Sequence, residues 1–367
     1  MVAKMKRSHT AQQKKWMAIL GVFFVLALFN ITFDWNDQPD QLVVIEETRG
    51  ERDSLKSAFS DWLELPSWRK NLRKIQEKPN GSDSILFWHI PKCGGTTAKK
   101  LYACMGKTIT TRVGVLPQFG HQNSQKLVVF QPYPDEDWRT VNVDTTVLEG
   151  IIRAKGMGLV QSHVADVIVS MEMGAAVQHL FDNKKEGRNK GRVIALFRHP
   201  VERLVSKFYY LQVAYWEQSY HPEWQTMSIL EWARTKHAGA DSNIMVQKLT
   251  GKAWGDRVGE RDLRVAKKIL RDHVIVGLLS DIEESFRRFN IVLGVDETMD
   301  RNQNCMNDFF GSKVPGTVTN SNEHPKVVEG STVWNILVRK NTLDVRLYRY
   351  VEALFEEQKS VIQSYTA

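Results

Sequence analysis

Apolar positions fall into two patterns along this chain. Some form short unbroken runs stopped by proline or glycine, which predict strands buried on both faces. Others recur every three or four residues, which predicts amphipathic helices. Ile85, Leu86 and Phe87, with Ile90 just beyond, make the first run, and Pro91 ends it. Val193 to Phe197 makes a second. Leu204, Phe208 and Leu211, with Val201 and Val205 beside them, predict the buried stripe of a helix that follows. Between these lie an irregular stretch from Lys107 to Gln125, an apolar Leu127 to Phe130 broken by Pro132 and Pro134, and a helix over Thr146 to Ala154. A short strand is expected at Leu159 to His163, a loop at Asp182 to Arg192 and a surface helix at Asp262 to Leu270. Strands separated by helices predict an α/β fold around a parallel sheet.

The amino terminus differs. Residues 1–15 are basic and polar, and Trp16 to Phe33 follows with eighteen uncharged residues, enough to span a bilayer. Positive charge on its amino-terminal side predicts a type II signal anchor, the tail cytoplasmic and the rest lumenal. A cleaved signal peptide is the rival reading. Residues 34–83 read as a stem. Leu55, Phe59, Trp62 and Leu63 share a helical face, which Trp68, Leu72 and Ile75 continue less regularly. A spacer, an oligomerisation seam and a helix folded onto the domain all fit. Asn80-Gly81-Ser82 is a glycosylation acceptor sequence. The globular domain is expected over 84–367.

Composition narrows the function classes. Of a net charge of +8, five positive charges precede the first acidic residue, so the remainder is only mildly basic and gives no argument for nucleic acid. Three cysteines, Cys93, Cys104 and Cys305, allow at most one disulfide and show no metal-ligand spacing.

The chemistry concentrates at Ser84 to Met105. A strand, a glycine turn and a helix start make an anion cradle, because unpaired N–H groups and the helix dipole converge there. Gly94 and Gly95 let backbone approach a ligand, and Thr96 or Thr97 is the expected helix cap. Lys92 adds charge at the rim. The lysine precedes the glycines, so this is not the G-x-x-x-x-G-K-[ST] loop of nucleoside triphosphatases. A second candidate anion site follows Val193 to Phe197. Arg198 ends that strand, Pro200 suits a first helical turn, and Ser206 lies about two turns on. A structural turn and an ordinary surface arginine would also explain either stretch taken singly.

The two motifs together resemble sulfotransferases that use 3′-phosphoadenosine 5′-phosphosulfate (PAPS). Pro91-Lys92-Cys93-Gly94-Gly95-Thr96-Thr97 looks like their 5′-phosphosulfate loop, and Arg198-x-Pro200 with Arg203-Leu204-Val205-Ser206 looks like their 3′-phosphate motif. The chain is most similar to Golgi membrane sulfotransferases of the heparan sulfate 2-O-sulfotransferase type. Ser162-His163-Val164 resembles that family's catalytic histidine segment. Val274 to Leu279 with Ile282 to Phe286 resembles its late strand and helix, and Asn320 to Lys326 with Asn341 to Asp344 its carboxyl-terminal part. Two positions depart from the family: Gln161 stands where it has a second histidine, and His199 where it has aspartate.

The resemblance implies a P-loop-like parallel sheet flanked by helices. Lys92, Cys93, Gly94, Gly95, Thr96 and Thr97 would hold the 5′-phosphosulfate, and Arg198 and Ser206 the 3′-phosphate. Lys92 would stabilise the leaving phosphate, His163 would act as general base, and His324 and Lys326 would make late-loop contacts. It implies PAPS as co-substrate, no metal, a Golgi membrane location, and a hydroxyl acceptor on a glycan, expected to be polyanionic. Homo-oligomerisation is compatible with it. Trp216, Trp224, Trp232 and Trp254 could stack on sugars or fill the core. Two rival functions remain open at this point: a kinase-like phosphotransferase using ATP, and a catalytically silent membrane-tethered glycan-binding module.

Overall fold

The computed structural model describes residues 65–81, 83–182, 189–217, 219–311 and 324–366. The expected tail, membrane anchor and most of the stem (1–64) lie outside the described residues, as do Ser82 and Asn320. No described helix is long and apolar enough to cross a membrane.

Seven strands form one sheet: β1 Ser84–Trp88, β2 Thr108–Thr110, β3 Val129–Phe130, β4 Arg139–Val141, β5 Val167–Ser170, β6 Gly191–Phe197 and β7 Val274–Leu278, in the order β3-β4-β2-β5-β1-β6-β7. Only the short β3 runs antiparallel, against β4; the other pairings are parallel. The helices are α1 Gly95–Cys104, α2 Leu148–Gly156, α3 Leu159–Ser162, α4 Met173–Leu180, α5 Pro200–Leu211, α6 Ile229–Arg234, α7 Ile244–Thr250, α8 Glu260–His273, α9 Ile282–Leu293, α10 Asp300–Met306, α11 Thr332–Lys340 and α12 Thr342–Ser364. The expected α/β class and mostly parallel sheet are therefore present.

Strand alternation sorts the core onto two faces. Ile85 and Phe87 of β1 face the side with Leu101 and Tyr102 of α1 and Phe286 and Phe289 of α9. Leu86 and Trp88 face the side with Val177 of α4, Leu249 of α7 and Leu270 of α8. A third cluster joins α5, α6 and α11, with Phe208, Trp224 and Trp232 at its centre. Trp224 and Trp232 are thus core residues, and Ser228 and Glu231 form the capping box that starts α6.

Three local expectations are corrected. The stretch Lys107 to Gln125 is not wholly irregular, since it holds β2. The strand expected at Leu159 to His163 is the single turn α3, entered at Gly158 (φ 71°) and left at His163 (φ 51°). Leu159 and Val160 fill the core from that turn, and the strand proper begins four residues later at Val167. Residues 67–75 are no free spacer. Trp68, Leu72 and Ile75 are buried, and Leu72 bridges to Gly191. Asp83 is itself buried and accepts from Arg73 Nε and Arg192 Nε, each at 2.9 Å. The globular unit therefore extends amino-terminal of residue 84. Asn80 is exposed at the turn before β1.

One disulfide joins Cys104, the last residue of α1, to Cys305 in α10. Cys93 is free and buried.

Candidate active site

β1 lies between β5 and β6, where chain order reverses across the sheet. Crevices at the carboxyl ends of strands beside such a reversal are where open α/β sheets bind ligands. The His89 N–H donates to Ser170 O at 2.8 Å, extending the ladder one residue past β1. Ile90 to Cys93 then turns, closed by Cys93 N–H to Ile90 O at 3.2 Å. Pro91 sets the second turn position, and Lys92 sits at φ 67°, as a type II turn demands of its third. That is a strained conformation for a side chain with a Cβ.

Gly94, at φ 83°, is the cap of α1, so neither Thr96 nor Thr97 caps it. Both threonines lie in the first turn, Thr97 buried and Thr96 half-buried. The glycines are needed for space as well as conformation. A Cβ on Gly94 would meet Leu196 Cδ2 at 2.8 Å, and one on Gly95 would fall 1.9 Å from His89 Cδ2. A helix start at the carboxyl end of a strand is the kind of place that suits an anion.

β6 delivers Arg198 to the same edge. Its Nη1 lies 3.5 Å from Lys92 O, and its Nε 3.4 Å from Glu202 Oε2. The two expected anion sites are thus neighbours on adjacent strands. Lys92 Nζ rests 3.9 Å from the centre of the Tyr210 ring. Tyr210 is fixed in turn, donating to Glu217 Oε1 at 2.7 Å and accepting from Trp216 Nε1 at 3.3 Å. Burial, then the Arg198 charge, pull the Lys92 ammonium down to about 8, with Glu217 acting the other way.

Ser206 is half-buried on α5, and one turn further Tyr209 stacks on His324 at 5.0 Å, 10° between planes. His324 therefore lies against the later part of α5. Lys326 is exposed. Cys93 is buried with its thiol pushed up to about 11, so only its backbone can serve an anion. His199 stacks on Trp334 at 4.7 Å and meets Tyr348 edge-on, and burial lowers its basicity.

His163 is not brought to this cluster. It precedes β5, beside the start of β2, where Asp166 N–H donates to Thr108 O. Lys92 follows the end of β1, and β1 and β5 run parallel in register from Ile85↔Val167 to Trp88↔Ser170. The two therefore lie on opposite edges of the sheet, separated by about 10 Å of strand or more. His163 therefore does not lie beside Lys92 and Arg198.

His89 is the residue the sequence pattern undervalued, because it reads as one more packed position at a strand end. Its ring lies against Gly95 and feels both Lys99 and Lys92. Burial first, then those two charges, lower it to about 3, so it is a neutral imidazole. Lys99 is also lowered by burial, offset by Asp144. At the end of β5, Glu172 is held by Lys248 at 2.6 Å. No family model and no curated protein matches the sequence.

Proposed function

We propose that this chain is a sulfotransferase that moves a sulfuryl group from PAPS to a hydroxyl of a glycan. The observation that carries this reading is the adjacency of the two anion sites, with Arg198 Nη1 3.5 Å from Lys92 O. A ligand with phosphates at both ends of one nucleoside fits a helix cradle beside an arginine; a single phosphate needs only one of them. The first turn of α1 would hold the 5′ side, and Arg198 with Ser206 the 3′-phosphate. A Cβ at Gly94 would meet Leu196 and Leu279, and one at Gly95 the His89 ring, so the glycines let this turn pack tightly against its own neighbours.

In the transfer, the bond between sulfur and the phosphate oxygen breaks and a bond from sulfur to the acceptor oxygen forms. The acceptor proton passes to a base, and the 5′-phosphate of the departing adenosine 3′,5′-bisphosphate gains the negative charge that the sulfonate carried on the donor, so the nucleotide's total charge is unchanged. Lys92 would stabilise that charge. We assign the base to His89 in place of His163, since His89 is neutral and three residues from Lys92 on the same edge. Burial is the larger cause of its low basicity, and an arriving anion would relieve only the smaller contribution of Lys99 and Lys92. The Cys104–Cys305 disulfide fits an oxidising lumen, and with the apolar segment at 16–33 it favours a Golgi type II membrane protein.

The test is the full chain with radiolabelled PAPS, ATP and a glycan panel. Sulfate transfer that disappears in Lys92→Ala and Arg198→Ala is expected. Transfer from ATP alone would refute the class. Transfer retained by His89→Gln but lost by His163→Ala would return the base to His163.

A further inference from the structure

Large aromatic side chains are ordinarily buried, yet Tyr215, Trp216 and Trp254 expose 75%, 58% and 56% of their surface. All three gather along the outer face of α5. Trp216 is held in place: its indole N–H donates to Tyr210 Oη, and the Tyr215 ring meets it edge-on at 5.0 Å. Trp254 lies 5.6 Å below Lys207 Nζ. Lys207 and Tyr210 are one turn apart on the same helix face, and Tyr210 carries Lys92 on its ring. The aromatic surface is therefore continuous with the proposed transfer site, one tyrosine ring away from Lys92.

Two of its charges are already engaged. Lys207 bonds Asp241 at 2.6 Å, and Glu217 accepts from Tyr210. What the surface offers is flat ring area with ordered polar edges, which suits the C–H faces and rim hydroxyls of sugars. We propose that Tyr215, Trp216 and Trp254 form the acceptor subsite and recognise saccharide rings by their faces, without requiring a charged group there. This rests on the sulfotransferase reading and names the substrate surface of that site. It differs from the polyanionic acceptor expected from the sequence, because a site built on lysine and arginine would bind less tightly as salt rises.

The experiment uses the full chain and two kinds of probe. Adenosine 3′,5′-bisphosphate reports the nucleotide site and the integrity of the fold. A neutral gluco-hexasaccharide and a uronic-acid-containing hexasaccharide report the subsite, titrated calorimetrically at low and high salt. Tyr215→Ala and Trp254→Ala should each weaken saccharide binding about tenfold, with the bisphosphate unaffected and Tyr215→Phe and Trp254→Phe retaining most of the affinity. Neutral-saccharide affinity should change less than about twofold with salt. The proposal is overturned if wild type binds the bisphosphate but neither saccharide. It is also overturned if the alanine variants keep saccharide affinity, or if light scattering shows that they merely abolish self-association. Failure of wild type to bind the bisphosphate would instead overturn the nucleotide reading beneath it.

Discussion

On the proposed reading, Lys92 should couple proton binding to binding of the nucleotide. In the unfolded chain its ammonium titrates at 10.5; in the fold, burial and Arg198 lower that to about 8. Between those values the unfolded chain holds a proton that the folded chain lacks, so stability rises with pH there and is lost as pH falls toward 8. At pH 7 the folded chain therefore carries a charge that costs about 2–3 kcal/mol, after allowing for partial solvent screening. A phosphate arriving at the cradle offsets that cost and raises Lys92 again. Affinity for adenosine 3′,5′-bisphosphate should be flat below pH 8 and fall about tenfold per unit above it. Calorimetry in two buffers of different ionisation heat should show uptake approaching one proton per nucleotide by about pH 9. Lys92→Arg stays charged and should remove the fall. Lys92→Met should melt higher than wild type at neutral pH without ligand, while losing the nucleotide. Flat wild-type affinity up to about pH 9.5, or the same fall in Lys92→Arg, would refute the reasoning.

Three further outcomes follow from the geometry. Gly95→Ala drives a methyl into His89 and should cost about 1–3 kcal/mol in urea unfolding; adding His89→Ala should recover part of it, whereas additive losses would deny the contact. Cys104→Ser with Cys305→Ser opens a loop of sequence separation 201 and should lower stability by about 3–5 kcal/mol, with thiol labelling of the native wild type finding no reactive cysteine. His89, lowered from 6.5 to about 3, makes the fold lose stability as pH falls through that window; His89→Gln should flatten the acid limb of the melting-temperature profile, and an unchanged limb would show that the imidazole titrates normally.

The two strand–loop–helix units were legible because each apolar run ends on residues with one structural use: Pro91 and the glycines after β1, Arg198 and Pro200 after β6. β2 was hidden because it is a buried strand made largely of threonine. The polarity of Thr110 is satisfied inside the sheet, where its Oγ1 accepts from Val169 N–H and pairs with Thr145 Oγ1 at 2.6 Å. Leu159-Val160 misled in the opposite sense. Two adjacent apolar residues suit a strand or a buried helical turn alike, and the positive φ at Gly158 and His163 decides for the turn. That misreading set His163 at the end of a strand, whereas it stands before β5. Among the tryptophans the sequence gives no means of telling Trp224 and Trp232, which are core, from Trp216 and Trp254, which are not; the difference depends on which side of α5 the following loops pack.

The carboxylate of Asp83 has a practical consequence for anyone trimming this protein. It neutralises two guanidinium groups, one of them, Arg192, almost wholly enclosed. A secreted form cut at Ser84, the first residue of the sheet, would strand that enclosed charge at a cost of about 3–5 kcal/mol. It would also strip away the apolar cover given by Trp68, Leu72 and Ile75. The shortest soluble version worth expressing therefore keeps Leu65 onward, and the tether to any membrane has to be attached before that point.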